Sequence, residues 1–132
     1  YDLSKTPWAT AINQVRLLND ASSRFNEGLL VNIVDLGANV LYIDAAYYVN
    51  LYTSSPGSYS FDNATTPVCT SVDAGNGIGI GTGQVNSALC TTATLLPSAN
   101  QNKYVFADAV YLTPSAHRQL GDYAYDRLRA RW

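Results

Sequence analysis

Apolar residues recur at three- and four-residue spacing along the opening stretch of the chain. Trp8, Ala11, Ile12, Val15, Leu18, Phe25 and Leu29 share one stripe, with a slack turn near Ala21-Ser22. That period predicts an amphipathic helix, because residues three and four apart lie on the same helix face. Thr6 suits the N-cap and Pro7 the first helical position. Asn13, Arg16, Asp20 and Arg24 fall on the polar side, so the stripe requires a sheet or another helix to cover it. Residues 28–33 end this helix or begin a connection, and Gly37 breaks the pattern. Asn39-Val40-Leu41-Tyr42-Ile43 then runs apolar without alternation, as in a strand buried on both faces of a parallel sheet. Asp44 ends the run, Ala45 to Leu51 reads as a short helix, and Pro56-Gly57 marks a turn.

From Ser58 to Asn102 the pattern is that of a loop, holding Pro67, Pro97, both cysteines and glycines at 75, 77, 79, 81 and 83. A loop of this length inside a compact domain is functional or mobile. The glycine run is no phosphate cradle, since no strand precedes it and no Lys-Ser/Thr follows. It reads as a flexible surface loop. Asn63-Ala64-Thr65 is a glycosylation sequon, which matters only in a eukaryotic secretory host. Tyr104-Val105-Phe106 is a short β-prone run, and Asp108 follows it closely. Thr113 as N-cap and Pro114 at the first position start a last helix, with Ala116, Leu120, Ala124 and Leu128 as its apolar stripe. The order helix, strand, helix, long loop, strand, helix argues for an α/β layer with parallel strands. Two strands do not make a stable sheet of this kind, so further strands are expected upstream of Tyr1.

Composition narrows the class. The 132 residues suit one domain, and an apolar fraction of 47% is enough to build a core. A net charge of -2 gives no general attraction to nucleic acid or anionic membrane. Arg118, Arg127, Arg129 and Arg131 suit the end of a helix dipole better than a phosphate site. No apolar run approaches the ~20 residues that span a bilayer. Tyr1 to Lys5 is not a signal peptide, so either one was removed or this is not the native start. Ten tyrosines, no methionine and a polar setting for Cys69 and Cys90 suggest an exported protein. The cysteines are read as one disulfide, with two free thiols as the alternative. Zinc is not supported, because the only histidine is distant and no second ligand pair exists. No cofactor is expected.

Three passages resemble the SGNH, or GDSL-motif, lipases and esterases, in particular the secreted and autotransporter-type bacterial esterases. Gly37-Ala38-Asn39-Val40-Leu41-Tyr42-Ile43-Asp44 looks like that family's penultimate core strand. Tyr59 to Cys69 looks like the passage leading into a disulfide loop. Phe106-Ala107-Asp108-Ala109-Val110-Tyr111-Leu112-Thr113-Pro114 looks like the final block, whose usual form is Asp-x-x-His-Pro-Thr. The family's Gly-Asp-Ser block, and its oxyanion-hole glycine and asparagine, are not among these residues. The resemblance therefore implies the C-terminal portion of a three-layer α/β/α hydrolase domain with parallel strands. Residues 58–102 would be its disulfide-closed loop, and a missing N-terminal half would carry the serine.

In that final block an acid orients a base three residues later, and the base takes the serine's proton. Asp108 matches the acid, but Tyr111 holds the histidine position. A tyrosine, with an ordinary pKa near 10, is a poor general base at neutral pH. His117 lies further on, inside the predicted helix. Asp108 also reads as a loop carboxylate capping the following helix. The resemblance implies a secreted or cell-surface bacterial carboxylic ester hydrolase acting on an ester or lipid, with activity impaired by Tyr111. A non-catalytic binding module and a small independent globular domain are the alternatives. Asp108 and Tyr111 are expected at the C-terminal rim of the sheet, facing a cleft.

Overall fold

The computed structural model describes residues 12–75 and 83–132. Thr6, Pro7, Trp8, Ala11 and most of the glycine run lie outside them. The described residues form three α-helices, α1 (Ile12–Asn32), α2 (Ala45–Ser54) and α3 (Pro114–Arg131). Helix α1 passes through Gly28 without a break and ends in a tight turn, Val34–Asn39, where Gly37 takes φ +52°. That left-handed value is open to glycine at no steric cost. The turn is the main packing partner of α1. Leu18, Phe25 and Leu29 remain exposed on the helix, so the cover that the apolar stripe calls for is not supplied among the described residues.

Helix α2 starts at Asp44, whose carboxylate accepts a hydrogen bond from the Tyr47 amide at 2.8 Å. This satisfies one of the donors that a helix start leaves without a partner. Helix α3 starts as the Thr113-Pro114 pair predicts. The Thr113 hydroxyl accepts from the Ala116 amide at 3.3 Å and donates to the Tyr104 carbonyl at 2.7 Å. One buried side chain thus caps the helix and ties it to the preceding segment. At the other end, Arg129 and Arg131 occupy the last turn, and Arg131 donates to the Gly37 carbonyl at 2.6 Å.

The core has two parts. Tyr52, Phe61, Val105 and Ala116 are buried together, with Tyr48 and Tyr59 packed against them. Tyr52 meets Tyr59 and Phe61 edge to face, at ring separations of 4.9 and 5.5 Å. Such pairs add about 0.5–1.5 kcal/mol beyond the area they bury. Val68, Cys69 and Ala107 form the second part, bordered by Cys90 and Leu95.

The described residues contain no β-strand, and the predicted three-layer α/β/α arrangement with parallel strands is not adopted. Val40 to Ile43 is half-buried and without regular secondary structure, Val40 itself being extended, and it makes no bridge. Tyr104 to Phe106 pairs elsewhere. The Val105 amide donates to the Asn63 carbonyl at 2.9 Å, and the Phe106 carbonyl accepts from the Val68 amide at 3.0 Å. Isolated bridges, Asn63↔Tyr104, Cys69↔Leu95, Val72↔Val85 and Phe106↔Leu112, stand in place of a ladder. The physical reason is that an unalternated apolar run reports burial, which a covered loop provides as well as a sheet does. Pro67 lacks an amide donor, and short 3₁₀ turns at Ser87–Leu89, Thr92–Thr94 and Gln101–Lys103 bend the neighbouring chain. Each pairing stops after one rung.

The described parts of the stretch from 58 to 102, residues 58–75 and 83–102, are more ordered than their composition suggests. Asn63, Asn86 and Asn100 each accept a nearby backbone amide on the side-chain oxygen. Such local bonds replace ladder bonds where the chain must turn. Cys69 and Cys90 form a disulfide.

Candidate functional site around Asp108

The backbone doubles back tightly between residues 105 and 113. The Ala107 amide donates to the Tyr111 carbonyl at 2.8 Å, and the Thr113 amide donates to the Val105 carbonyl at 2.9 Å. Asp108 lies just inside this turn with 0% of its surface exposed. Burial of a carboxylate is costly unless donors surround it. Here Oδ1 accepts from the amides of Val110 at 2.8 Å and Tyr111 at 2.7 Å. Oδ2 accepts from the Ser87 amide at 2.7 Å. The first two bonds are local and set the turn. The third crosses from a separate segment of the chain.

These contacts decide what the predicted site residues do here. Asp108 is immobilised by three backbone donors, and its carboxylate has about four acceptor positions. Tyr111 is linked to Asp108 through its amide, not its phenol, and its side chain is 47% exposed. His117 sits on an exposed part of α3, and its amide continues the helix by donating to the Thr113 carbonyl at 3.0 Å. Helix α3 takes its cap from Thr113, so Asp108 is not the capping carboxylate. With no sheet, there is no strand rim for Asp108 and Tyr111 to occupy.

A cavity of about 480 Å³ opens beside this loop. Its wall includes the Cys69–Cys90 disulfide, Ser87, Leu95, Ala107 and the Thr113-Pro114 start of α3. Neither Asp108 nor Tyr111 lines it, and no charged side chain does. Its volume lies within the range of small-molecule sites, and its mixed hydroxyl and aliphatic wall suits a small uncharged group.

No family model, curated protein or solved structure matches this chain. Sequence and geometry are therefore what speak to its function. Among the described residues, no group of His, Cys, Asp and Glu gathers in a way that could hold a metal ion.

Two contributors escaped the sequence reading. Ser87 supplies Asp108 through its backbone, and no side-chain pattern marks a backbone donor. Asp73 is the other. Its Oδ2 accepts from the Asn86 side chain at 2.9 Å and its Oδ1 from the Gly75 amide at 2.8 Å. The Asn86 amide group, and then the Gly75 amide, hold this carboxyl below the ordinary Asp value. Asn86 followed by Ser87 has the pattern of a capped turn, the one signal in the sequence that points to this corner. In the aromatic core, burial and then the neighbouring Tyr59 push the Tyr52 phenol above the usual tyrosine range.

Proposed function

We propose that this chain is the C-terminal part of a secreted carboxylic ester hydrolase of the GDSL lipase and esterase type. Asp108 is the acid of its site, and Tyr111 stands where the base is usual. The serine would come from a Gly-Asp-Ser block outside these 132 residues, and the substrate would be an ester or lipid. The observation that carries the proposal is the block Phe106 to Pro114, with its acid and its substituted base in one immobilised turn. A buried carboxylate held by backbone donors is pre-organised, as an orienting acid must be. The side chain at 111 is exposed enough to reach a partner. The disulfide agrees with an oxidising compartment. No described helix is long and apolar enough to cross a membrane.

With tyrosine at 111 the site lacks its proton acceptor. What remains of a triad without one member is roughly 10³–10⁴ over the reaction in water. The test is hydrolysis of short-chain nitrophenyl esters by the full polypeptide that carries this segment, with and without Tyr111→His. Restoring the base is expected to raise kcat/KM by roughly 10²-fold or more, and Asp108→Ala in that variant should abolish the gain. No gain on Tyr111→His removes the triad reading.

Tyr111 itself favours a second reading, a binding module that descends from such an enzyme. In that case a non-hydrolysable ester analogue binds the parent and Tyr111→His equally, and neither turns over substrate.

A further inference from the structure

Both ends of the disulfide are tied to the Asp108 turn. The Cys69 amide donates to the carbonyl of Ala107, the residue before Asp108, at 3.0 Å. On the other side, the Cys90 amide donates to the Ser87 carbonyl at 3.0 Å and closes the short turn Ser87–Leu89. The Ser87 amide then points at Asp108 Oδ2. The covalent link therefore spans the gap that the Ser87–Asp108 hydrogen bond crosses. Other ties hold the Ser87 segment to the chain near Cys69. They are hydrogen bonds only. The Asn86 amide donates to the Ser71 carbonyl at 2.8 Å and the Ser71 hydroxyl to the Asn86 carbonyl at 2.9 Å, while the Thr70 amide and hydroxyl both donate to the Thr94 carbonyl, at 2.7 and 2.9 Å. None of them touches Asp108.

We propose that Ser87 is a positioning residue for Asp108 and that the Cys69–Cys90 disulfide sets it, so that the redox state of the bond governs the order of the Asp108–Tyr111 turn. Cys69 is buried and Cys90 half-buried, but both form part of the wall of the 480 Å³ cavity, and this is the route by which a small dithiol would reach the bond. One dithiol thiolate attacks a protein sulfur, and the mixed disulfide is resolved by the second thiol. The protein gains two electrons and two protons as two cysteine thiols, and the dithiol becomes a cyclic disulfide. Without the link, the Ser87 turn separates from Asp108. Oδ2 loses the one donor it has among the described residues, and the carboxylate keeps the local Val110 and Tyr111 amides. This inference does not rest on the ester hydrolase reading.

Amide hydrogen exchange in the full chain tests it, because exchange reads local opening residue by residue. Reduction with dithiothreitol is expected to speed exchange at Ser87 by about tenfold or more, with Val110 and Tyr111 following. Val105, whose amide is bonded to Asn63, serves as the internal reference. Should reduction unfold the whole chain, Ser87→Pro decides instead. Ser87 opens its 3₁₀ turn, and Asn86 before it is extended at φ -119° and ψ 112°, so proline fits. That variant keeps the disulfide and deletes only the donor to Asp108. Faster exchange at Val110 and Tyr111 in Ser87→Pro, with Ser87→Ala matching the parent, supports the assignment. Unchanged exchange at Val110 and Tyr111 in Ser87→Pro overturns it, and so does full protection of Ser87 in a folded, reduced chain.

Discussion

Replacing Asp108 by asparagine removes one acceptor and inserts a donor in its place. The variant can keep Oδ1 on the Val110 and Tyr111 amides, now bonded at 2.8 and 2.7 Å. Its new amide group must then face the Ser87 N–H, which in the parent is 2.7 Å from Oδ2. Flipping the side chain is worse, because two donors then face the amide. A hydrogen bond to a charged group contributes about 1.5–3 kcal/mol, and a buried donor left without an acceptor costs about 1–3 kcal/mol. These terms overlap, so we expect a loss of about 3 kcal/mol. For a chain of this length that corresponds to about 12 °C in Tm. Asp108→Ala leaves all three donors without their acceptor and should cost more, though less than three independent bonds, because the contacts are coupled. The assay is urea unfolding with the disulfide intact, comparing midpoints at constant m-value. A loss in Asp108→Asn below about 0.5 kcal/mol refutes the reasoning. A gain in stability refutes it more instructively, since it would show a carboxylate kept at the expense of the fold, as reactive groups are.

Thr113→Val keeps the shape but removes both the α3 cap and the bond to Tyr104 at 2.7 Å. A loss of about 2–3 kcal/mol is expected in the same urea assay, with Thr113→Ser losing about 1 kcal/mol. Asp73 should titrate below the ordinary carboxylate range when its carboxyl carbon is followed by NMR, because Asn86 and Gly75 favour its charged form. A carboxyl lowered in the folded state adds stability above its unfolded value and loses it as pH falls through the folded value. The Asn86 side-chain amide should therefore shift at that acid midpoint, and a flat Asn86 signal down to full protonation of Asp73 would refute the link.

Local chemistry was legible in the sequence, and pairing was not. Thr113 and Pro114 fix the start of α3, because a hydroxyl acceptor and a ring-locked φ act within a few residues. The short helix read over Ala45 to Leu51 is present as α2, and the Cys69–Cys90 bond follows from the polar setting of the two residues. Val40 to Ile43 misled because a β-prone run states that it will be covered, not by what. Tyr104 to Phe106 misled in the same way, since its partners, Asn63 and Val68, lie in a stretch that reads as loop. The site divides along the same line. The spacing of Asp108 and Tyr111 reads as an acid–base pair at a sheet rim, whereas the two share a turn, and nothing in the identity of Ser87 foretells that its amide closes the ring around Oδ2.

The manner in which residues 61–69 run beside 103–107 bears on how fast the chain can fold. Each of those contacts joins segments about forty residues apart and gains nothing until the intervening chain has closed. With the Cys69–Cys90 bond in place, the path from Cys69 to Ala107 is cut by about half, which lowers the closure cost by about 0.6 kcal/mol. If that closure is complete at the barrier, oxidised chains assemble roughly threefold faster than reduced ones. The order of events then becomes oxidation first and core second. A thiol-oxidising environment would act as a folding catalyst for this protein as much as a guardian of its finished form.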